Sequence, residues 1–214
     1  MQALKEKIIE IARAFDKDDM GIGTSGNVSA RFDDRIFITP SGVAPERLDV
    51  DNIVTLNLAG DVEKAIYKPS SEWHFHYDIY QSHQAVNAIV HTHSPYAVAQ
   101  SCLNKPIPAF HYMVAKVGGS YVPCADYATF GTEALSQNIV ATLIDFKGCL
   151  LANHGQLATG ATLDQAYAMA REIETLARQY ILACSVGEPV LLSEQEMQVN
   201  IEKFKTYGTA QKQD

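Results

Sequence analysis

The chain contains 214 residues, of which 47% are hydrophobic and 20% charged, so it fits one globular domain or two small ones. Its formal net charge of −8 argues against nucleic-acid binding, because a nucleic-acid partner requires a basic face. Apolar runs of membrane-spanning length are absent, and the charged, amphipathic start matches neither a signal peptide nor a transit peptide, so we expect no membrane partner.

The first part of the chain predicts one helix and then strands joined by short turns. In chain order the pattern gives a helix over residues 3–15, a glycine-rich loop over 21–27, strands over 28–32 and 35–39, and a strand over 53–58 that a short strand follows. Asp33 and Asp34 separate the first two strands and therefore predict a hairpin.

The rest of the chain predicts five helices and two buried strands. In chain order these are a helix over residues 72–83, a strand from 88 into the histidines that follow, a helix over 95–103, a loop-rich stretch over 104–131, a helix over 132–144, a strand over 149–153, and helices over 163–186 and 194–204. Ser70 or Ser71 is expected to cap the first of these helices, and Ser193 with Glu196 to form a capping box on the last.

Short turns between the early strands demand antiparallel pairing. We therefore predict an α/β fold with a central, largely antiparallel or mixed sheet that helices cover on both sides. The chain shows no repeat and no convincing linker, so residues 1–214 are expected to form a single domain.

The four cysteines are widely separated, and no Cys-x-x-Cys pair occurs; they are Cys102, Cys124, Cys149 and Cys184. This usage predicts reduced, mostly buried thiols in a cytoplasmic protein, and it makes a zinc site built on cysteine improbable.

The sequence Ala-Ile-Val-His-Thr-His over residues 88–93 is the strongest functional signal. Side chains alternate along a strand, so His91 and His93 are expected on one face, where two imidazoles can hold one metal ion. His154 follows another predicted strand end and is a candidate third ligand, which would leave one coordination position open. Spacing alone does not choose His154, since other histidines are available: His74, His76, His83 and His111. His74 and His76 share the same spacing but lie in a predicted helix, where positions two apart point in different directions.

Three short stretches, at residues 23–27, 39–42 and 70–71, combine glycine, hydroxyl and amide groups. Backbone N–H groups left bare by glycine can cradle a phosphate without a basic patch, although each stretch alone also fits an ordinary turn. Residues 70–71 open a helix, whose N-terminus favours an anion. Glu72 follows directly, where a carboxylate can serve as a metal ligand, a general base, or each in turn.

These motifs together resemble the class II aldolase/adducin family over nearly the whole chain. The matching segments are residues 24–29, 38–42, 70–73, 90–93, 107–113, 123–132, 153–155 and 202–208. The closest likeness lies in the branch that acts on L-fuculose 1-phosphate. The resemblance implies reversible, zinc-dependent cleavage of that sugar phosphate to dihydroxyacetone phosphate and L-lactaldehyde, in a four-fold homotetramer with one Zn²⁺ per subunit and active sites at the subunit interfaces.

The resemblance also assigns roles to individual residues. It implies that His91, His93 and His154 bind zinc, and that Glu72 is a fourth ligand at rest and the catalytic acid/base. It implies that Tyr112 is a second catalytic side chain and that Tyr207 reaches the site from a neighbouring subunit. The phosphate-binding residues that it implies are Gly26, Asn27, Ser41, Gly42, Ser70 and Ser71.

Several alternatives stay open at this point. Cleavage through a lysine Schiff base would use Lys68 or Lys116, but neither lies in a run apolar enough to suggest a depressed pKa. Pentose-phosphate 4-epimerases, rhamnulose-1-phosphate aldolases and methylthioribulose-1-phosphate dehydratases share the histidines; the epimerases tend to carry Asp in place of Glu72. An interaction module like the adducin head would keep the fold without catalysis, and the intact histidine set beside Glu72 argues against it.

Overall fold

A computed structural model describes residues 1–63 and 65–207. The helices are α1 Gln2–Lys17, α2 Trp73–Ser82, α3 Pro95–Ser101, α4 Glu133–Thr142, α5 Leu163–Val186 and α6 Glu194–Thr206, with 3₁₀ turns at Pro45–Arg47 and Tyr112–Val117. The strands are β1 Asn27–Phe32, β2 Arg35–Ile38, β3 Val54–Asn57, β4 Ala88–Thr92, β5 Cys124–Ala125, β6 Gly148–Leu151 and β7 Gly155–Gly160. Gly208, the last residue of the C-terminal motif quoted above, lies outside the described residues.

The strands form one mixed sheet in the order β3-β2-β1-β4-β7-β6-β5. Every neighbouring pair is antiparallel except β5 and β6, which are parallel. The predicted fold class is therefore confirmed. The central pair β1–β4 places Asn27 opposite His91, so the start of one strand meets the end of the other.

Side-chain alternation along the strands divides the core into two layers. Val90 and Ala158 point into the layer that also contains apolar residues of α1, α3 and α5. Ile89 and Leu157 point into the other layer, with apolar residues of α2 and α4. His91 is two residues after Ile89 and thus lies on the α2 side, where its ring meets Phe75 edge-on at 5.5 Å.

Strand β7 was missed by the sequence analysis. Residues 155–160 begin and end with glycine and show no alternation of polar and apolar residues, because the strand is buried on both faces. The short strand expected after residue 60 is also wrong in extent, since the described residues there make a single bridge between Leu56 and Val62.

The predicted cap of helix α2 is wrong. Glu72 occupies the N-cap position with no side-chain cap bond, while Ser70 Oγ accepts a hydrogen bond from Glu72 N, at 3.3 Å. The capping box of Ser193 and Glu196 on α6 is confirmed.

The expectation of mostly buried thiols is only half correct. Cys149 is buried and Cys124 partly so, but Cys102 and Cys184 are exposed. Within the described residues, no helix combines the length and apolar character that a membrane span requires.

Candidate metal centre and adjoining cleft

His91 and His93 converge as strand alternation predicts. Their Nε2 atoms lie 3.0 Å apart. His91 is the second-last residue of strand β4, and His93 lies just beyond its end. His91 Nδ1 lies 2.8 Å from the carbonyl oxygen of Gln156, which can only accept, so Nδ1 carries the proton. Nε2 of His91 is therefore the ring nitrogen that faces His93 and that can bind a metal ion once it has no proton.

His154 completes a three-sided arrangement. It lies in the turn that joins β6 to β7, and each pair among the His91, His93 and His154 rings has a centroid separation of 4.9 Å. Gly155 allows this approach, because a Cβ there would lie 2.5 Å from the carbonyl oxygen of Thr92 and 3.2 Å from the His93 ring.

Glu72 points from the start of α2 into the same cluster. Its Oε2 lies 3.3 Å from His91 Nε2, and its Oε1 lies 3.2 Å from His154 Nε2. Burial opposes ionisation of this carboxyl, but His91 and His154 outweigh burial and hold its pKa well below the usual value. Burial also lowers the pKa of His93 to about 3, with further contributions from His91 and His154.

The donor set fits a divalent metal ion. The four residues each offer one ligand atom, and these atoms all lie within 4.8 Å of one another. Ligands held tetrahedrally at about 2.0–2.1 Å from zinc are roughly 3.3 Å apart, which is close to the 3.0–3.3 Å measured here. Glu72 Oε1 is buried and has no hydrogen-bond partner among the described residues. A bound cation would give this acceptor a partner.

A cleft of about 350 Å³ opens beside the cluster. Its lining contains every residue that the family resemblance assigns to phosphate: Gly26, Asn27, Ser41, Gly42, Ser70 and Ser71. Glu72, His93 and His154 line the same cleft, so the small-residue loops share one cavity with three of the four candidate metal ligands. In the described part of the chain no lysine lines it, and Lys116 instead pairs with Glu172 at 2.7 Å.

The loop at residues 24–27 is tied to the cluster through Asn27. Its Nδ2 donates to Glu72 Oε2 at 3.0 Å and to Ser70 Oγ at 3.1 Å. Gly26, with φ of +83°, approaches His91 so closely that a Cβ would lie 2.8 Å from the His91 carbonyl oxygen. The loop therefore contacts both Glu72 and the strand that carries His91.

Tyr112 and Tyr207 do not reach the cleft of their own chain. Neither is among its described lining residues, and they are exposed by 47% and 79%. Both contact Phe204, Tyr112 by stacking at 6.2 Å between centroids and Tyr207 edge-on at 5.9 Å. The two tyrosines therefore form an exposed aromatic cluster on one side of the molecule, beside helix α6.

Four cleft residues outside the three small-residue loops were not singled out by the sequence analysis as site residues: Tyr127, Ala128, Phe130 and Asn153. Tyr127 and Phe130 line the cleft although they are 60% and 64% exposed, and Asn153 precedes His154 with a φ of +53°. The available signal for Tyr127 and Phe130 was their position in segment 123–132, which is one of the segments that carry the family resemblance.

Residues 6–181 match the family model described as the class II aldolase and adducin N-terminal domain. The chain belongs to this family. It is 45% identical over 206 residues to the 5-methylthioribulose-1-phosphate/5-deoxyribulose-1-phosphate aldolase of Rhodospirillum rubrum, covering 96% of this chain and 93% of that protein. It is 44% identical over 206 residues to the L-fuculose phosphate aldolase of Escherichia coli O6:H1, covering 96% and 95%. A solved L-fuculose 1-phosphate aldolase superposes with a TM-score of 0.92 at 38% identity, covering 96% of this chain and 97% of that one.

The family and these relatives support an aldolase-type lyase that depends on a metal and acts on a sugar phosphate. The relatives act on different ketose 1-phosphates, and their identities of 45% and 44% do not separate the two substrate groups.

Proposed function

We propose that this protein reversibly cleaves L-fuculose 1-phosphate to dihydroxyacetone phosphate and L-lactaldehyde, with Zn²⁺ in the cluster of His91, His93, His154 and Glu72. One observation carries the proposal above all. Three of the four candidate ligands, Glu72, His93 and His154, line a single cleft with the three small-residue loops, and the fourth, His91, is buried within the same cluster. A phosphate held by the loops would therefore place its carbon chain beside the metal position.

The loops at residues 26–27, 41–42 and 70–71 would bind the phosphate. They offer backbone N–H groups, hydroxyls and an amide, and residues 70–71 precede the N-terminus of the ten-residue helix α2. The absence of a lysine or arginine from the described lining means that dipoles, rather than full charges, neutralise the phosphate. Binding energy from this remote group then fixes the reacting carbons.

When bound, the metal supplies a Lewis acid that stabilises the negative charge left by cleavage of the carbon–carbon bond. Glu72 moves the proton at the nucleophilic carbon of the dihydroxyacetone phosphate fragment, since its carboxylate is ionised and aimed into the cleft. Tyr112 donates to the oxygen of the aldehyde fragment, and Tyr207 helps to orient and shield it.

Both tyrosines would have to act from a neighbouring subunit, because each is exposed on its own chain and away from its own cleft. This placement supports a homotetramer whose active sites lie at subunit interfaces. The exposed Tyr127 and Phe130 at the cleft mouth would then receive the neighbour.

A second group of substrates, 5-methylthioribulose and 5-deoxyribulose 1-phosphates, is favoured by the comparison with the Rhodospirillum rubrum protein, which is named as an aldolase of these compounds. These ketoses would give the same dihydroxyacetone phosphate and a different aldehyde. The choice between them rests on the aldehyde end of the cleft, away from the phosphate loops.

One assay separates these possibilities. Zinc-reconstituted protein is supplied with the phosphates of fuculose, rhamnulose, 5-deoxyribulose and ribulose side by side. The release of dihydroxyacetone phosphate is measured, and the remaining ketose phosphate is analysed for epimerisation. We expect the highest kcat/KM with L-fuculose 1-phosphate. A higher value with the deoxyribulose ester would move the protein to the second group, and epimerisation without cleavage would overturn aldolase function.

Two controls test the chemistry. EDTA should abolish cleavage and added Zn²⁺ should restore it, whereas cleavage that survives chelation would remove the metal from the mechanism. Borohydride trapping of a covalent substrate adduct would establish a lysine route instead.

A further inference from the structure

The second His-x-His pair of the sequence, on helix α2, has a member that the proposed chemistry does not use. His76 is fully buried and lies on the opposite side of Asn27 from Glu72. Its Nε2 contacts Asn27 Oδ1, and its Nδ1 lies 2.7 Å from Ser29 Oγ. Ser29 Oγ is also 2.7 Å from the hydroxyl of Tyr80, which is likewise fully buried.

The directions of the hydrogen bonds that link Asn27, His76, Ser29 and Tyr80 all follow from the carboxylate of Glu72. Glu72 Oε2 is an acceptor, so the atom of Asn27 that faces it at 3.0 Å must be the Nδ2 donor. Asn27 Oδ1 then faces His76, whose Nε2 must donate. Because a neutral imidazole has one N–H, His76 Nδ1 accepts from the Ser29 hydroxyl.

The last link is fixed in the same way. Since the proton of Ser29 is directed to His76, the Tyr80 hydroxyl donates to Ser29 Oγ. Burial raises the pKa of Tyr80, which keeps this donor protonated. In the resulting network Tyr80 donates to Ser29, Ser29 donates to His76, and His76 donates to Asn27.

We propose that His76, through its Nε2–H tautomer, is a positioning residue that holds the Asn27 amide so that its NH₂ group faces Glu72 and the phosphate loop. This inference rests on the proposed function, because it assigns the held groups to phosphate binding and proton transfer. Without the His76 donor, the amide can rotate and present its oxygen to Glu72. An oxygen there repels the carboxylate and removes a donor from Ser70, so both catalysis and phosphate binding suffer.

A purely packed core histidine would behave differently. It would contribute to stability alone, and its tautomer would be immaterial to the site. The network argues against that reading, since all four side chains are at most 4% exposed and each bond has only one consistent direction.

The first test reads the tautomer without any substrate. Long-range ¹⁵N NMR of the imidazoles in the intact protein should show His76 with a protonated Nε2 and a bare Nδ1. An Nδ1–H tautomer would overturn the proposal whatever the activity. Since this measurement needs no turnover, it stands even if the wild-type protein cleaves none of the sugar phosphates and the proposed function fails.

The second test uses kinetics and metal content. His76→Phe keeps a ring of similar size and removes both bonds, and we expect kcat for the preferred ketose phosphate to fall at least ten-fold with a rise in KM. Metal stoichiometry should stay at the wild-type value, because His76 lies outside the ligand cluster. His76→Gln, which retains a donor, should recover part of the loss.

Matched variants complete the design. His74→Gln changes the other histidine of the pair, which stacks on Trp73 rather than entering the network, and should leave kcat and KM within two-fold of wild type. Tyr80→Phe removes the outermost donor while the Ser29 hydroxyl still serves His76, so it should have a smaller effect than His76→Phe. A folded His76→Phe protein with wild-type kcat and KM would reduce His76 to a packing residue.

Discussion

Asn27 and His91 lie directly opposite each other across the β1–β4 ladder. This register joins the loop proposed to hold phosphate to the strand that carries two candidate metal ligands. A slip of one residue would turn His91 to the other face of the sheet, away from α2 and Glu72. The relative position of the loop and the metal cluster is thus set by backbone pairing.

His93→Gln is expected to lower metal affinity sharply while leaving the fold intact, because His93 is only partly buried and lies beyond the end of β4. Loss of one of three imidazoles should reduce bound Zn²⁺ from one per chain to well below that, as measured by elemental analysis after dialysis. His83→Gln, at the C-terminal end of α2 and outside the cluster, is the control. Full occupancy in His93→Gln would exclude His93 as a ligand.

Glu72→Gln should still bind inorganic phosphate or dihydroxyacetone phosphate but lose proton exchange at the nucleophilic carbon. A positioned acid or base contributes on the order of 10²–10⁴-fold, so a fall of that size is expected. Exchange is followed by NMR in D₂O with zinc-loaded protein. Wild-type exchange in this variant would show that another group moves the proton.

Gly155→Ala should destabilise the protein and weaken metal binding together. The new Cβ would lie 2.5 Å from the Thr92 carbonyl oxygen, so β4 and β7 must separate next to His93. Overpacking of this kind costs about 1–3 kcal/mol of unfolding free energy, which urea titration measures. Gly187→Ala is the matched control, because it has extended backbone and no atom within 4 Å of its added Cβ, and its stability should stay near wild type. Equal effects at the two positions would contradict the close-approach argument.

The metal-free protein should lose stability as the pH falls from 6.5 toward 5. Burial lowers the pKa of His76 from 6.5 to about 3, with a further contribution from His91, and burial lowers that of His93 to about 3 as well. In this range each of the two histidines is protonated in the unfolded chain but not in the folded chain, so the unfolding free energy decreases as the pH falls. The slope for each group approaches a limit of about 1.4 kcal/mol per pH unit. Urea unfolding in EDTA at pH 7.5 and 5 measures the slope. His76→Phe should have a shallower slope, and an unchanged one would contradict the assignment.

Tyr207→Phe and Glu72→Gln should complement each other in mixed oligomers if the sites lie at interfaces. Each variant alone is expected to be slow, whereas co-expressed chains would contain some sites with wild-type Glu72 and a wild-type tyrosine from the neighbour. Cleavage rates of co-purified, differently tagged chains provide the measurement. Tyr207→Phe should also retain its zinc, and mixtures no faster than the average of the pure variants would place the tyrosine and Glu72 in the same subunit.

The sequence predicted most elements because their signals are local. The apolar stripe of α5 gave Leu163–Val186 without error, and the capping box marked the start of α6. Strand β7 was not predicted, because a strand buried on both faces shows no alternation of polar and apolar residues. The glycine at residue 155 is also typical of a turn. The prediction that Ser70 or Ser71 caps α2 was wrong, because the Ser70 hydroxyl accepts a hydrogen bond from Glu72 N at a turn just before the helix.

By itself, the sequence predicted the fold class and the His91–His93 pair, since periodicity and spacing are properties of neighbouring residues. Its motifs also resembled the family that the family model then showed. Only the tertiary structure decided which distant groups meet. It brought His154 and Glu72 to that pair, left Tyr112 and Tyr207 on the outer surface, and placed His76 behind Asn27. The physical reason is that such meetings depend on strand register and on helix packing against the sheet, and neither is encoded within a short segment of the chain.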